Sequence, residues 1–381
     1  MFGERRARRM GVLDGVPTTW QLAKSGRGWA EFFWTGDVIG LILLTGTLAL
    51  ILIPISLGGS VASKWQTAKV ITPLVIGVVI FLPAFIVWEA KLAKHPMVPA
   101  RILRNRHVLC SMLISMLGCV SLMTQGSYLL YMLLVSFGKS VEAATRVANL
   151  SSFVQTVVGI ILGFAVRKIR RVKWFIVAGC CALIIAYGLL IRYRGGHSQS
   201  DFAGIVGGEV MMGIAGGLTT FPAQVGLQAV VKHEHLAIVT ALFLTFYQVG
   251  AAIGGACAGG IWVNTLPPRL LKGLLGTGMD PAEAAKLAAS VFGNPIAFIA
   301  QHPVGTPTRE AVEFAYRDVQ RFLCILGICL GSVMLLVSLG LDNVYLPDTQ
   351  EAKDVIATSS DEDVPRLAPT EQKRAPAPVV A

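Results

Sequence analysis

One carboxylate, Glu209, stands inside the apolar run "FAGIVGGEVMMGIAGGL". A charged group in a hydrocarbon layer is costly, so such a residue marks an interior cavity, a proton path or a wet position near the surface. Uncharged polar side chains recur in the neighbouring apolar runs. They are Gln125, Ser127, Tyr128 and Tyr131; Asn149, Gln155 and Thr156; Gln224 and Gln228; and Thr245, Tyr247 and Gln248. In lipid these groups need partners, so they face a bundle interior or a water-filled cavity. A cavity walled by amides, hydroxyls and aromatic rings suits a polar substrate of moderate size. The alternative for any one residue is an interhelical hydrogen bond worth about 0.6–2 kcal/mol. The pathway candidates are Glu209, Gln125, Tyr128, Tyr131, Asn149, Gln155, Gln224, Gln228, Tyr247 and Gln248.

A second chemical feature is the basic heptapeptide "RKIRRVK", with Arg167, Lys168, Arg170, Arg171 and Lys173. Alone it reads as a nucleic-acid patch or a nuclear address. The chain's net charge of +11 is confined, however, to short segments between apolar runs. That distribution favours topology signals that anionic lipid headgroups can also attract, and no nucleic-acid partner is expected. His233 and His235 flank Glu234 in a short loop without a metal-binding constellation, so no metal site is expected. No nucleophile elbow, phosphate loop or H-E-x-x-H motif occurs, so neither enzymatic activity nor a cofactor is expected. The seven cysteines lie in or beside apolar runs, where cysteine behaves as a small hydrophobe.

The elements that must position these residues follow from composition. The chain is 54% hydrophobic and 14% charged, whereas soluble domains carry about 25% charged residues. The apolar runs are long enough for helices that span a bilayer, about 20 residues each. The expected class is all-α integral membrane protein with the lipid bilayer as partner. Eight spans are expected: Val38–Gly58, Val70–Trp88, Val108–Val135, Val147–Val166, Trp174–Ile191, Phe202–Leu227, Leu236–Val263 and Phe322–Leu341. With the N-terminus cytoplasmic, the inside segments 1–37, 89–107, 167–173 and 228–235 hold seventeen Lys/Arg, against six in the short outside segments. That asymmetry fixes the expected orientation. Residues 264–319 form a long outside segment with two helix starts: Asp280-Pro281 with Glu283, and Thr306-Pro307. After the second start, Val312, Tyr316, Val319 and Leu323 recur at helical spacing, predicting a helix that runs into the eighth span along the membrane face. Gly250, Gly254, Gly255, Gly259 and Gly260 form small-residue ridges suited to close helix packing. Residues 342–381 read as a disordered cytoplasmic tail.

Several blocks resemble the fungal siderophore–iron transporters of the major facilitator superfamily. They include "WEAKLAKHPMVPARILRNRHV", "GIAGGLTTFPAQVGLQAVVKHEHLAIVTALFLTFYQVGAAIGGACAGGIWVNTLP" and "HPVGTPTREAVEFAYRDVQRFLCILG". The resemblance covers most of residues 1–341. It implies fourteen spans, as six, two linkers and six. The eight spans here then correspond to two linker helices (38–88) and the C-terminal six-helix bundle (89–341), with an N-terminal bundle missing as partner. It further implies proton-coupled uptake of a ferric siderophore across the plasma membrane, or an endosomal or vacuolar one. The alternatives are a fourteen-span drug:proton antiporter fragment or a truncated protein that transports nothing. The segment 264–319 would form an outer gate, with Arg309 and Tyr316 as candidates for first contact. Two departures stand out. The family pattern carries a neutral amide at position 209. In the superfamily loop G-x-x-x-D-R-x-G-R-R, Arg167 replaces the acid and Arg170 the second glycine.

Overall fold

The computed structural model describes residues 33–34, 37–58, 67–92, 105–194, 198–231, 235–303 and 305–346. Most of the expected cytoplasmic segment 1–37, His233 with Glu234, and the expected tail beyond residue 346 lie outside the described residues. Among the described residues every regular element is helical, and the only pairing of extended backbone is an isolated antiparallel bridge between Arg171 and Tyr345. The helices are α1 Val38–Gly58, α2 Ala68–Leu92, α3 Arg106–Phe137, α4 Val141–Ala148, α5 Leu150–Ile169, α6 Lys173–Tyr193, α7 Gln199–Ala229, α8 Leu236–Leu275, α9 Pro281–Gly293, α10 Pro295–Gln301 and α11 Pro307–Leu339. Seven of the described helical stretches are long and apolar enough to cross a membrane, and Val38–Ile51 adds a shorter apolar stretch.

Local chemistry explains where they begin. The Asn105 side chain accepts from His107 N at 2.9 Å and starts α3, which ends at Gly138 in the left-handed region, φ 58°. Asp280 accepts from Ala282 N at 3.1 Å and Thr306 from Arg309 N at 3.4 Å, each with proline at the next position. Both helix starts expected from the sequence therefore form.

The helices of residues 106–339 pack around α3, which touches α7, α8 and α11; α5 and α6 pack on α7, and α6 on α11. The main core lies among these helices and contains Met112, Leu133, Ile176, Tyr187, Ile205 and Phe243, all buried. α1 and α2 pair with each other, and α1 also touches α8. Outward-facing Phe153 and Phe164 on α5 and Leu336 on α11 are 68%, 73% and 68% exposed. A water-soluble bundle would hide such side chains, whereas lipid accepts them.

The glycine ridge of α8 works at the α3 contact. A Cβ at Gly254 would lie 2.6 Å from Val120 O, and one at Gly250 would collide with the Met116 carbonyl oxygen. Backbone cannot yield as a flexible side chain can, so Gly250→Ala should destabilise the protein by about 1–3 kcal/mol. A lowered thermal-unfolding midpoint in detergent would show it. Gly255 has open space around its Cβ position, so Gly255→Ala is the matched control and should leave the midpoint unchanged.

One expected bound needs correction. The helix of the expected seventh span does not end at Val263, because α8 continues through Pro267 and Pro268 to Leu275. Buried Trp262, Leu266, Leu270 and Leu274 recur every four residues along that extension, and their packing outweighs the proline penalty. The row Val312, Tyr316, Val319 and Leu323 is buried in the same cluster as the α8 extension, while Phe314 on the opposite side is 69% exposed.

Candidate functional site

The interior of the bundle holds a buried polar cluster. Glu209 on α7 is 1% exposed, and its Oε1 accepts from Gln125 Nε2 of α3 at 3.0 Å. Ser151 of α5 approaches the same carboxylate. Gln320 Nε2 of α11 donates to Gln125 O at 3.4 Å. Among the described residues, no cation pairs with Glu209. One turn of α3 away, the Tyr187 hydroxyl of α6 donates to Ser121 O at 2.7 Å, joining a further helix to the polar interior. A carboxyl held by an amide and a hydroxyl, with no counter-charge, can take up or release a proton without breaking an ion pair.

The other candidates divide between this interior, helix seams and the exterior. Gln155 packs on α7, where a Cβ at Gly216 would lie 2.9 Å from its Oε1, so it fills a helix–helix contact. Gln228 Nε2 donates to Thr240 Oγ1 at 2.9 Å, tying α7 to α8. Tyr247 lies half-buried beside Cys119 of α3. Gln224 is half-buried on α7 between the more exposed Phe221 and Val225. Gln248 is exposed and lines a cavity of about 300 Å³ with Leu48, Leu244 and Thr245, in the seam where α1 meets α8. Asn149 sits exposed at the α4–α5 junction, its Nδ2 donating to Thr145 O at 3.0 Å. Six of the ten candidates therefore lie in seams, at a junction or at the surface.

Tyr128 and Tyr131 belong to an aromatic group that also contains Trp262, which sequence reasoning missed. Tyr128 stacks on the indole, with centroids 4.2 Å apart and planes 9° apart; Tyr316 meets its edge at 5.3 Å; and Tyr131, 38% exposed, lies 6.5 Å away. A tryptophan near the end of an apolar run, two residues beyond the pair Gly259-Gly260, was the available signal.

Arg309 is not an exposed first-contact cation. It is 1% exposed, donating through Nε to Glu313 Oε1 at 2.9 Å and through Nη2 to Val135 O at 2.7 Å. Glu313 also pairs with Arg317 at 3.3 Å, and Arg317 reaches Ser136 O at 3.4 Å. The triad covers the C-terminal carbonyls of α3, the end of a helix that favours cations. The Arg309–Glu313–Arg317 spacing of four was legible as a helical charge row. Tyr316 is likewise buried, 1% exposed.

In the basic loop, Arg167, Lys168 and Arg171 are exposed, and Lys173 Nζ donates to Leu339 O at 2.9 Å. Arg170 caps α5 in the left-handed region at φ 58°, a conformation costing a non-glycine residue roughly 1 kcal/mol or more. The position where the superfamily pattern places glycine thus has the backbone that glycine prefers.

An all-α bundle of apolar, span-length helices with a buried polar cluster defines the class as a multi-pass membrane protein. Residues 27–243 match the family model described as fungal trichothecene efflux pump, which is more than half of the chain. The chain is 37% identical over 318 residues to Siderophore iron transporter 1 of Saccharomyces cerevisiae, covering 83% of this chain and 49% of that protein. It is 32% identical over 318 residues to Siderophore iron transporter 1 of Schizosaccharomyces pombe, 84% and 49% of the two chains. To MFS siderochrome iron transporter C of Aspergillus fumigatus it is 29% identical over 357 residues, 92% and 56%. The chain belongs to the fungal siderophore–iron transporter family of the major facilitator superfamily, whose members are transporters and not enzymes. It spans about half the length of the curated relatives it matches.

Proposed function

We propose that this chain forms the six-helix half, with two linker helices, of a transporter that takes up ferric siderophores at the expense of a proton gradient. The observation that carries this reading is the 37% identity, over 83% of the chain, to a protein named as a siderophore iron transporter. The geometry supports it further. Glu209, buried and held by Gln125, supplies a site where one proton can bind. α3 to α8 and α11 make the bundle, and α1 with α2 make the linkers. In this superfamily the pathway lies between two bundles, so transport needs a second one against this half. The basic loop faces the cytoplasm, and the α3–α8–α11 aromatic group lies towards the outside, beneath helices α9 and α10, which act as an outer gate. The plasma membrane is the expected site, with an endosomal or vacuolar membrane as the alternative.

The description of the matching family model favours a second reading, export of a toxin or drug driven by protons. One growth experiment separates the two. The chain is expressed alone, and fused behind the N-terminal half of the Saccharomyces cerevisiae relative, in yeast lacking its own siderophore transporters. Growth of the fused form on a ferric siderophore as sole iron source is the expected result. Tolerance to a trichothecene without growth on the siderophore would replace this reading by the second.

A further inference from the structure

The basic loop holds more than a topological position. Arg170 ends α5 with its N–H donating to Val166 O at 2.8 Å, and the left-handed turn directs the loop towards the chain that leaves α11. There, Leu346 N–H donates to Arg170 O at 3.0 Å, and Arg171 and Tyr345 form the isolated antiparallel bridge. Arg170 Nη1 lies 3.4 Å from the Tyr345 hydroxyl, and the guanidinium sits 5.9 Å from the ring centroid. Leu346 packs on the cluster of Leu162, Val166 and Val172 at the base of α5 and the start of α6. Lys173 at the first position of α6 donates to Leu339 O in the last turn of α11. At the other edge, a Cβ on Gly340 would lie 3.5 Å from Arg106 Nη2, so the segment also runs beside the first residue of α3.

We propose that residues 340–346 are a strap that clamps the basic ends of α3, α5, α6 and α11 into one block. Three kinds of contact hold it: backbone hydrogen bonds to the loop, an apolar seat for Leu346, and the Arg170–Tyr345 pair. They join elements more than 160 residues apart in sequence, so local helix formation alone does not produce them. The arginine at the left-handed cap also gains a purpose. Glycine fits that backbone better, but glycine could not reach Tyr345. The loop lacks the acid of the superfamily pattern, and its latch is made within the bundle, to the strap. Held down, the strap makes the basic end move as a rigid unit; released, it frees the α5–α6 turn.

Hydrogen–deuterium exchange of the full chain in lipid nanodiscs tests this directly, because local opening controls exchange. Peptides covering 167–173 and 340–346 should both be protected in the wild type. Leu346→Asp should speed exchange in both by about tenfold or more, with the α8 stretch around Gly250 unchanged. Arg170→Gly keeps the turn and loses the Tyr345 contact, so it should speed exchange in both peptides, by less than Leu346→Asp. Free-chain exchange of 340–346 in the wild type would overturn the proposal, as would a Leu346→Asp response confined to 340–346. Should Leu346→Asp loosen α8 as well, Tyr345→Ala replaces it under the same two criteria. None of these readings depends on the identity of the substrate.

Discussion

Glu313→Leu is expected to destabilise the protein by about 3–5 kcal/mol, the cost of stranding a buried charge by removing its partner. Glu313 is 1% exposed and lies between two arginines, at 2.9 Å from Arg309 and 3.3 Å from Arg317. Its removal leaves two cations facing each other in a buried space. Arg309→Met should cost less, because Glu313 keeps Arg317, which is partly open to solvent at 15% side-chain exposure. The double substitution Arg309→Met with Glu313→Leu should then be milder than Glu313→Leu alone, since an apolar pair replaces an ionic one. Thermal or denaturant unfolding in detergent, run as a double-mutant cycle, measures the coupling. Strictly additive losses would mean that the pair does not act as a unit.

Glu209→Gln is the second large effect, and it falls on coupling more than on stability. Glutamine keeps an acceptor for Gln125 Nε2 and the shape of the side chain, but cannot exchange a proton. With Glu209 as the proton site, uptake by the fused transporter declines as the outside pH rises, because the protonated form is the one that enters the cycle. The glutamine variant should show a flat pH profile and lose gradient-driven accumulation by roughly tenfold or more, in keeping with the functional weight of intramembrane carboxyls. Substrate exchange across the membrane should persist. An unchanged pH profile in the variant would dismiss the role.

Much of the architecture was legible because it depends on period and punctuation. Apolar runs of span length, Asp280-Pro281, Thr306-Pro307 and the row Val312, Tyr316, Val319 and Leu323 all correspond to helices, caps and a buried face. What escaped is set by tertiary partners. Pro267 and Pro268 argue for a helix end, yet the buried row from Trp262 to Leu274 carries α8 past them. Arg309 reads as a surface cation until Val135 and Glu313 come to meet it. The polar residues share one composition, yet Gln125 meets Glu209 while Gln248 faces a seam with α1. Period alone cannot assign a polar residue to an interior or to a seam, because both satisfy the same need for a partner in lipid.

The most direct measurement is accumulation of radioactive iron from a ferric siderophore by yeast expressing the fused transporter, at acidic outside pH, with and without a protonophore. The account predicts accumulation against the concentration gradient that the protonophore abolishes and that Glu209→Gln removes. Accumulation indifferent to the protonophore, or no uptake from a fusion that reaches the membrane intact, would contradict it.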